Sequence, residues 1–346
     1  MRRRASFVLI LCGCFAVSVY SQTAGLPLWA YGYIAPAAAP VDYSTKCLGD
    51  HPSECDRPGG LPVDPQNTVR HLDGSDGAFT VAQINYRYGP ADWFPNDHPP
   101  MPDIVAHGKE ANGSRACAIC HLPNGKGLMQ NGGVAGLPAA FIRLQLADFK
   151  SGKRHSADTN KANAFEMAAI ARNLTDEEVQ AAAAYFSSVK FTRWMRVVES
   201  NMVPKFTATV NGLFLKDEGN ETEPLGNRLV ELPESTYDTN ILRNPRSGFV
   251  VYAPIGSLKR GETLVTTGGP GVTQPCVTCH GVGLTGGVGA IPAIAGRSAS
   301  YLARALYDIK LGTRSGAGAQ LMIPTVVNLS EDDVIALAAY VASLEP

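Results

Sequence analysis

The chain has 346 residues, of which 45% are hydrophobic and 18% are charged, and its formal net charge at neutral pH is −1. This composition excludes a largely disordered chain and is typical of a globular protein with two or three domains. The balance of 30 basic and 31 acidic side chains gives no electrostatic footprint for nucleic acid, so we expect no such partner.

Residues 1–24 have the pattern of a secretory signal peptide. Arginines at positions 2 to 4 precede an apolar run from Phe7 to Tyr20, and small and polar residues follow it. That run is too short to cross a bilayer as a helix, but it fits a signal h-region. The sequence therefore predicts export to the periplasm. Within the segment, Leu11-Cys12-Gly13-Cys14 loosely resembles a lipobox, so membrane attachment through a lipidated Cys14 is the alternative to simple cleavage.

Residues 25–100 are rich in Pro, Gly, Asp and aromatic residues, and the prolines exclude long helices. We interpret this part as an arm laid over the rest of the chain. Its two cysteines, Cys47 and Cys55, predict a disulfide in an oxidising compartment, with a thiolate ligand as the alternative. Five aromatic side chains could shield a cofactor edge or simply pack into the arm: Trp29, Tyr31, Tyr33, Trp93 and Phe94.

Two short motifs carry the chemistry, Cys117-Ala118-Ile119-Cys120-His121 and Cys276-Val277-Thr278-Cys279-His280. In each, one helical turn places two thiols and an imidazole on one side. This geometry suits haem, because the thiols add to the two vinyl groups and the His binds the iron. The motifs therefore predict two covalently bound haem c groups. The alternatives are a zinc site, for which the two Cys pairs must converge, and a redox dithiol, which explains neither the His nor the second copy.

A helical pattern follows each motif and repeats along the chain. Residues 141–154 correspond to residues 301–314, and the apolar positions of both recur at helical spacing before a closing Gly. A second repeated helix begins at Leu174 and at Leu329, with a capping box and an acidic first turn. Its apolar face predicts close packing through alanines. The chain thus contains one helical haem module twice, at 101–189 and 257–346.

Residues 190–256, between the modules, change in character and are too many for a plain linker. Short β-branched and aromatic runs are separated there by Gly, Asn and Pro turns. We expect strands at 206–210, 228–232 and 248–252, within a small β-rich insert that docks the modules together. The expected fold is therefore mostly α, with two helical haem domains, a Pro-rich arm and this insert.

One Met in each module is the candidate sixth ligand of the iron. Met167 stands seven residues before Leu174, and Met322 stands seven residues before Leu329. A thioether suits iron and raises its potential, whereas most methionines are core residues; the matched register favours ligation. The other methionines have no such counterpart. Three histidines without a repeat partner are the rival distal ligands: His98, His107 and His155.

Together, these motifs resemble the dihaem class I cytochromes c, notably the cytochrome c4 type, over 104–189 and 257–344. The resemblance rests on the two haem motifs, the helix pattern Tyr/Phe-x6-Asp-x-Lys-x-Gly-x-Arg, and the Met seven residues before Leu-Thr/Ser-Asp/Glu. It implies axial pairs of His121 with Met167 and of His280 with Met322. The family's supporting Pro is present as Pro292, whereas the first module has Gly132 or Gly133 there.

The resemblance also implies a non-enzymatic electron carrier of the periplasm. Its expected partners are redox proteins: a dehydrogenase or quinol-oxidising donor, and a terminal oxidase or reductase as acceptor. Two alternatives remain open. A dihaem peroxidase needs an open iron with an acid/base residue beside it, and a cytochrome subunit of a periplasmic dehydrogenase would co-purify with a larger partner.

Overall fold

The structure, a computed structural model, describes residues 25–34 and 65–346. The export segment, Cys14 and the predicted Cys47–Cys55 disulfide lie outside the described residues and stay predictions. Within the described part, the helices are α1 (Leu28–Tyr31), α2 (Val81–Ile84), α3 (Asp103–Ala106), α4 (Cys117–His121), α5 (Ala139–Lys150), α6 (Ala162–Asn173), α7 (Asp176–Ser188), α8 (Ser257–Thr267), α9 (Val277–His280), α10 (Ala299–Lys310), α11 (Ala317–Gln320), α12 (Ile323–Val326) and α13 (Glu331–Ser343).

The strands are short and form small sheets. They are β1 (Val69–His71), β2 (Ala78–Thr80), β3 (Met195–Glu199), β4 (Met202–Pro204), β5 (Phe206–Ala208), β6 (Phe214–Lys216), β7 (Thr222–Pro224), β8 (Val230–Pro233) and β9 (Phe249–Ala253). In the largest sheet, β9 lies between β3, to which it is parallel, and β8, to which it is antiparallel. The remaining strands form the antiparallel pairs β1–β2, β4–β7 and β5–β6. The three strands expected between the modules are present as β5, β8 and β9.

The two repeated helices predicted from the sequence are present in both modules. Helices α5 and α10 each have 12 residues, and helices α7 and α13 each have 13. The paired helices begin 160 and 155 positions apart, as the sequence repeat requires. In both modules the apolar face of the last helix packs against the helix that follows the haem motif.

Both last helices begin with the predicted capping box. The hydroxyl of Thr175 accepts from the Glu178 backbone N–H at 3.3 Å, and the hydroxyl of Ser330 accepts from the Asp333 N–H at 3.2 Å. In each case the carboxylate accepts in return from the N-cap backbone. Two donors that the helix itself leaves unpaired are therefore satisfied in each module.

Replacing Ser330 with Ala is expected to lower the free energy of unfolding by about 1 kcal/mol, because the N-cap acceptor is lost. Ser330→Thr retains the hydroxyl, which also donates to Oδ2 of Asp333 at 2.6 Å, and should remain close to wild type. Urea unfolding followed by circular dichroism measures both variants. Equal unfolding midpoints for Ser330→Ala and the wild type would contradict a stabilising role for this cap.

The helices that precede the two motifs differ in length. Helix α3 has four residues, whereas α8 has 11 and packs closely on α13. At Gly261, in the middle of α8, an added Cβ would lie 2.2 Å from the carbonyl oxygen of Ala336. Only glycine permits this approach, and the alanines of α13 keep the contact close, as predicted.

Three groups of buried apolar residues form the core. One unites the second module, the insert strands and α1, and includes Trp29 and Tyr31. A second lies within the first module. In the third, Trp93 and Phe94 pack with Leu242 of the insert. These four aromatic residues therefore pack against the core, which was the simpler of their two predicted uses.

Among the residues the structure describes, no helix has both the length and the apolar character needed to span a membrane.

Candidate haem sites

The first motif folds as helix α4 and lies on the wall of a cleft. The cleft is partly open to solvent, and its empty space together with the solvent at its mouth is about 1330 Å³. Cys117, Cys120 and His121 line it, and so does Met167 of α6. The structure thus brings to one cleft the four side chains that sequence reasoning selected for the first haem.

Each motif His is oriented by a backbone carbonyl. The Nδ1 atom of His121 lies 2.8 Å from the carbonyl oxygen of Gly132, and that of His280 lies 2.9 Å from the carbonyl oxygen of Pro292. Since a carbonyl can only accept, Nδ1 carries the proton and Nε2 keeps its lone pair. Burial lowers the pKa of both imidazoles, so they stay neutral. This is the state in which His binds iron.

The supporting carbonyl differs between the modules in the way that the sequence suggested. Of the two glycines considered, Gly132 supplies it in the first module, whereas Pro292 does so in the second. Both bonds have the same length within 0.1 Å. The ring orientation is therefore preserved, although a Gly holds its own backbone less firmly than a Pro.

The chain turns sharply after each His, and the two modules use different residues there. Gly281 has φ of 79° and ψ of 167°, a conformation open to glycine. Leu122 occupies the same place with φ of 61° and ψ of 158°, where a side chain is strained. Its side chain is 3% exposed, so burial in the core offsets the strain.

The second motif begins at Cys276, the N-cap of α9, and ends at His280, which is buried. Cys276, Val277 and Met322 all pack against the same apolar core. The local setting of the two methionines differs despite their matched register. Met167 lies inside the 12-residue helix α6, whereas Met322 lies between the four-residue helices α11 and α12.

The rival ligand histidines have different surroundings. The Nε2 atom of His98 lies 3.2 Å from a carboxylate oxygen of Asp92, an ion pair within the arm. His107 lies near Gly89 of the arm and is not among the residues that line the first cleft. His155 lines the first cleft, with Nδ1 3.3 Å from the Ser156 carbonyl. The choice of Met167 as the axial ligand therefore stays a prediction, with His155 as the nearby competitor.

Sequence reasoning missed a pair of cations on the lining of the first cleft. The guanidinium groups of Arg154 and Arg314 both donate to Oε1 of Gln145, each at 2.8 Å. Two positive charges thus share one neutral amide oxygen, and the structure records no salt bridge for either within the described part of the chain. Arg154 and Arg314 are the last residues of the repeated stretches 141–154 and 301–314. Their matched position was the sequence feature from which a shared role could have been predicted.

The hydroxyl of Tyr301 accepts from Arg154 at 3.2 Å. Burial alone would raise the pKa of this Tyr, but the guanidinium groups of Arg154 and Arg314 outweigh burial and lower its pKa to about 8. Burial also lowers the pKa of Arg314 to about 10. The two guanidinium groups at Gln145 therefore make this part of the cleft positively charged and favourable for an anion.

The lining of this cleft fits a haem, which has an apolar macrocycle and two carboxylates at one edge. The lining includes the apolar side chains of Leu137, Ile142 and Phe149, while the cations Arg154 and Arg314 lie together at Gln145. The Oδ1 atom of Asn163, also on the lining, is buried and has no hydrogen-bond partner in the described residues. Such an atom is expected where a bound polar group or a water molecule would donate to it. Within those same residues, no three His, Cys, Asp or Glu side chains form the metal-binding group that the zinc alternative requires.

The comparisons with known proteins agree with this reading. The Cytochrome c family profile matches residues 105–190 and 258–345, about half of the chain. A thiosulfate dehydrogenase electron acceptor of Stutzerimonas stutzeri is 27% identical over 70% of this chain and 84% of its own length. Cytochrome c4 of Pseudomonas aeruginosa is 24% identical over 66% of this chain and 83% of its own.

A crystal structure of reduced cytochrome c4 from Pseudomonas stutzeri covers 66% of this chain and 93% of its own, with 22% identity and a TM-score of 0.43. The family match falls on both halves that carry a haem motif, and the relatives named cytochrome c4 align across both. The chain therefore belongs to the cytochrome c family, as a dihaem class I electron-transfer cytochrome similar to cytochrome c4, with two covalently bound haem c groups.

Proposed function

We propose that this protein is a periplasmic carrier that passes single electrons between redox partners of a respiratory chain and turns over no substrate of its own. The observation that carries the proposal is the duplicated site. In both modules an imidazole is fixed by a carbonyl through Nδ1, and a Met stands in the same register. An iron with both axial positions filled exchanges electrons without binding a substrate.

The proposal assigns each residue a role. Cys117 and Cys120 hold the first haem, and Cys276 and Cys279 hold the second. The axial pairs are His121 with Met167, and His280 with Met322. The modules are bounded at 101–189 and 257–346, and the family matches at 105–190 and 258–345 support these limits.

The chain's own side chains then create the conditions for rapid electron exchange. The bound haem supplies the redox couple. The carbonyls of Gly132 and Pro292 hold the imidazole rings in one orientation, which limits reorganisation when the charge changes. With haem bound, the apolar side chains of the first cleft would shield the macrocycle from water, and Arg154 and Arg314 would be placed to offset the charge of a haem carboxylate. A thioether on the distal side favours the reduced iron.

The insert is proposed to dock the two modules together, and the arm is proposed to dock against the insert. Nε1 of Trp93 in the arm donates to the carbonyl of Leu242 in the insert at 2.7 Å. Asp97 of the arm forms a two-pronged pair with Arg246 of the insert, with both distances 2.7 Å. These contacts join segments that are 149 positions apart.

A second function is favoured by one comparison. The relative from Stutzerimonas stutzeri is named as the electron acceptor of thiosulfate dehydrogenase and aligns with 70% of this chain. On that analogy, the donor is a periplasmic dehydrogenase, and this chain is its cytochrome subunit or acceptor. A quinol-oxidising donor is the alternative, and the proposed acceptor is a terminal oxidase or reductase.

The test uses the purified holoprotein. We expect both haems to be low-spin in the ferric and ferrous states, a weak long-wavelength ferric band from sulfur ligation, and no carbon monoxide adduct on reduction. Added peroxide should not oxidise a reduced donor at a catalytic rate. High-spin iron with peroxide turnover that needs one haem ligand would instead identify a dihaem peroxidase.

A further inference from the structure

The loops that follow the two haem motifs differ sharply in exposure. All nine residues from 122 to 130, which follow His121, are buried. In the matching stretch after His280, residues 282, 283, 285, 287, 288 and 289 are exposed. The two modules repeat one fold but present different surfaces beside their haem motifs.

The insert covers the first motif. The guanidinium of Arg243 donates to the carbonyl of Ile119, inside the motif itself. Nδ2 of Asn124 donates to the carbonyl of Pro245 at 2.5 Å. Because Arg243 and Pro245 belong to the segment between the modules, these bonds hold that segment over the first motif and its loop. A large partner protein cannot approach the motif from this side.

Apolar side chains project into solvent in the loop that follows the second motif and beside Met322. Val282 and Val288, in the loop after His280, are 92% and 93% exposed. Leu321, beside the predicted ligand Met322, is 78% exposed. Side chains of this kind at such exposure mark an interaction site when they cluster around a functional centre.

This surface also lacks charge. Residues 263–296, which contain the second motif, include no Asp, Glu, Lys or Arg, and neither do residues 315–330, which contain Met322. The hydroxyl of Thr273 donates to the carbonyl of Thr325 at 2.6 Å, so the two uncharged segments adjoin. We call the exposed part of these segments the neutral face.

We propose that the neutral face, with Val282, Val288 and Leu321 at its surface, is the docking site for a redox protein whose own electron-exchange edge is apolar and uncharged. The second haem is then the port through which this partner exchanges electrons, and the first haem communicates with it through the second. This inference rests on the proposed carrier function and adds the site and the chemistry of the partner.

The charge distribution selects the partner's chemistry. A partner that docks through a ring of lysines or carboxylates would have to desolvate those charges against a surface that offers them no counterion. An apolar edge loses no such hydration and gains from burial of the exposed valines. Transient electron-transfer interfaces are small, so a few such side chains suffice. Association across an uncharged interface is also insensitive to salt.

The test measures electron transfer from the reduced full-length holoprotein to two oxidised blue-copper proteins by stopped flow. One has uncharged apolar residues around its copper edge, and the other has an acidic ring there. Between about 10 mM and about 1 M NaCl, where the Debye length falls from ~30 Å to ~3 Å, the rate with the apolar protein should change less than about twofold. Val288→Lys should lower that rate at least about tenfold, because docking now buries an unpaired charge.

The same variant should speed transfer to the acidic protein, and salt should remove that gain. Val69→Lys, at a 53% exposed position of the arm, is the matched control and should leave both rates unchanged. Reduction by dithionite, reoxidation by ferricyanide and unchanged midpoints in every variant would show that carrier function is intact. The proposal is overturned if Val288→Lys and Val69→Lys behave alike, or if the wild type forms a dimer that Val288→Lys dissociates in sedimentation velocity.

Discussion

Met167→Ala is expected to lower the midpoint potential of one haem by on the order of 100 mV, within the ~0.8 V range that axial ligands span, and to open that iron to carbon monoxide. Met322→Ala is expected to do the same to the other haem. The thioether stabilises ferrous iron, so its loss favours the ferric state and leaves a vacant position. Each single variant should therefore lower the midpoint potential of one haem and leave that of the other haem near its wild-type value.

A spectrally resolved redox titration of the wild type beside the two variants measures both effects. Met195→Leu is the control, because Met195 is also buried, 2% exposed, but has no counterpart in the other module. A change of similar volume there should leave both potentials unchanged. If Met167→Ala leaves the first haem low-spin and closed to carbon monoxide, while His155→Ala opens it, then His155 is the distal ligand.

The repeated helices could be predicted because their signals are local. The capping boxes of α7 and α13 depend on side chains three positions apart, and the apolar stripes of α5 and α10 follow helical periodicity. The motif that holds each haem is likewise contained in five consecutive residues. For the same reason, the order of cofactor ligands along each module could be proposed from one sequence.

What the sequence could not show depends on contacts between distant segments. Leu144 and Arg304 occupy the same position of the repeated helix, yet Leu144 is 44% exposed and Arg304 is buried. The difference arises because Arg304 lines the first cleft and donates to the carbonyls of Ala30 and Met129, whereas Leu144 meets solvent. The covered first motif and the exposed second motif have the same origin, since the insert folds back on one module only. Repetition predicts fold, but each copy's environment depends on what packs against it.

Replacing Arg304 with Met is expected to lower the free energy of unfolding by about 3–5 kcal/mol, the range for breaking a buried charged network. The guanidinium donates to the carbonyl of Ala30 at 2.7 Å and to that of Met129 at 2.9 Å. It also lies near the buried carboxylate of Asp308, which accepts from the hydroxyl of Tyr31 at 2.9 Å. Loss of Arg304 leaves two carbonyls without this donor and removes one of the cations that stabilise the Asp308 carboxylate. Typical domains are stable by only about 5–15 kcal/mol, so this is a large fraction.

Urea unfolding at two pH values separates the charge effect from the loss of packing. Burial raises the pKa of Asp308, and removing the nearby cation raises it further. A carboxyl group whose pKa is higher in the folded state than in the unfolded state stabilises the fold while it is protonated. This stabilisation is lost as the pH rises from the unfolded pKa through the folded pKa. The destabilisation by Arg304→Met should therefore be larger at neutral pH than near pH 5.

Two further variants complete this test. Adding Asp308→Asn to Arg304→Met should recover part of the lost stability and remove its pH dependence, because no buried carboxylate remains. Arg143→Met is the control in the first module. Within the described residues, the side chain of Arg143 donates to Oε1 of Gln180 in α7 at 3.4 Å, a long bond. Its loss should lower the free energy of unfolding by no more than about 0.5 kcal/mol. If Arg304→Met and Arg143→Met are equally mild, then the bonds of Arg304 do not hold α1 and the loop at Met129 against α10.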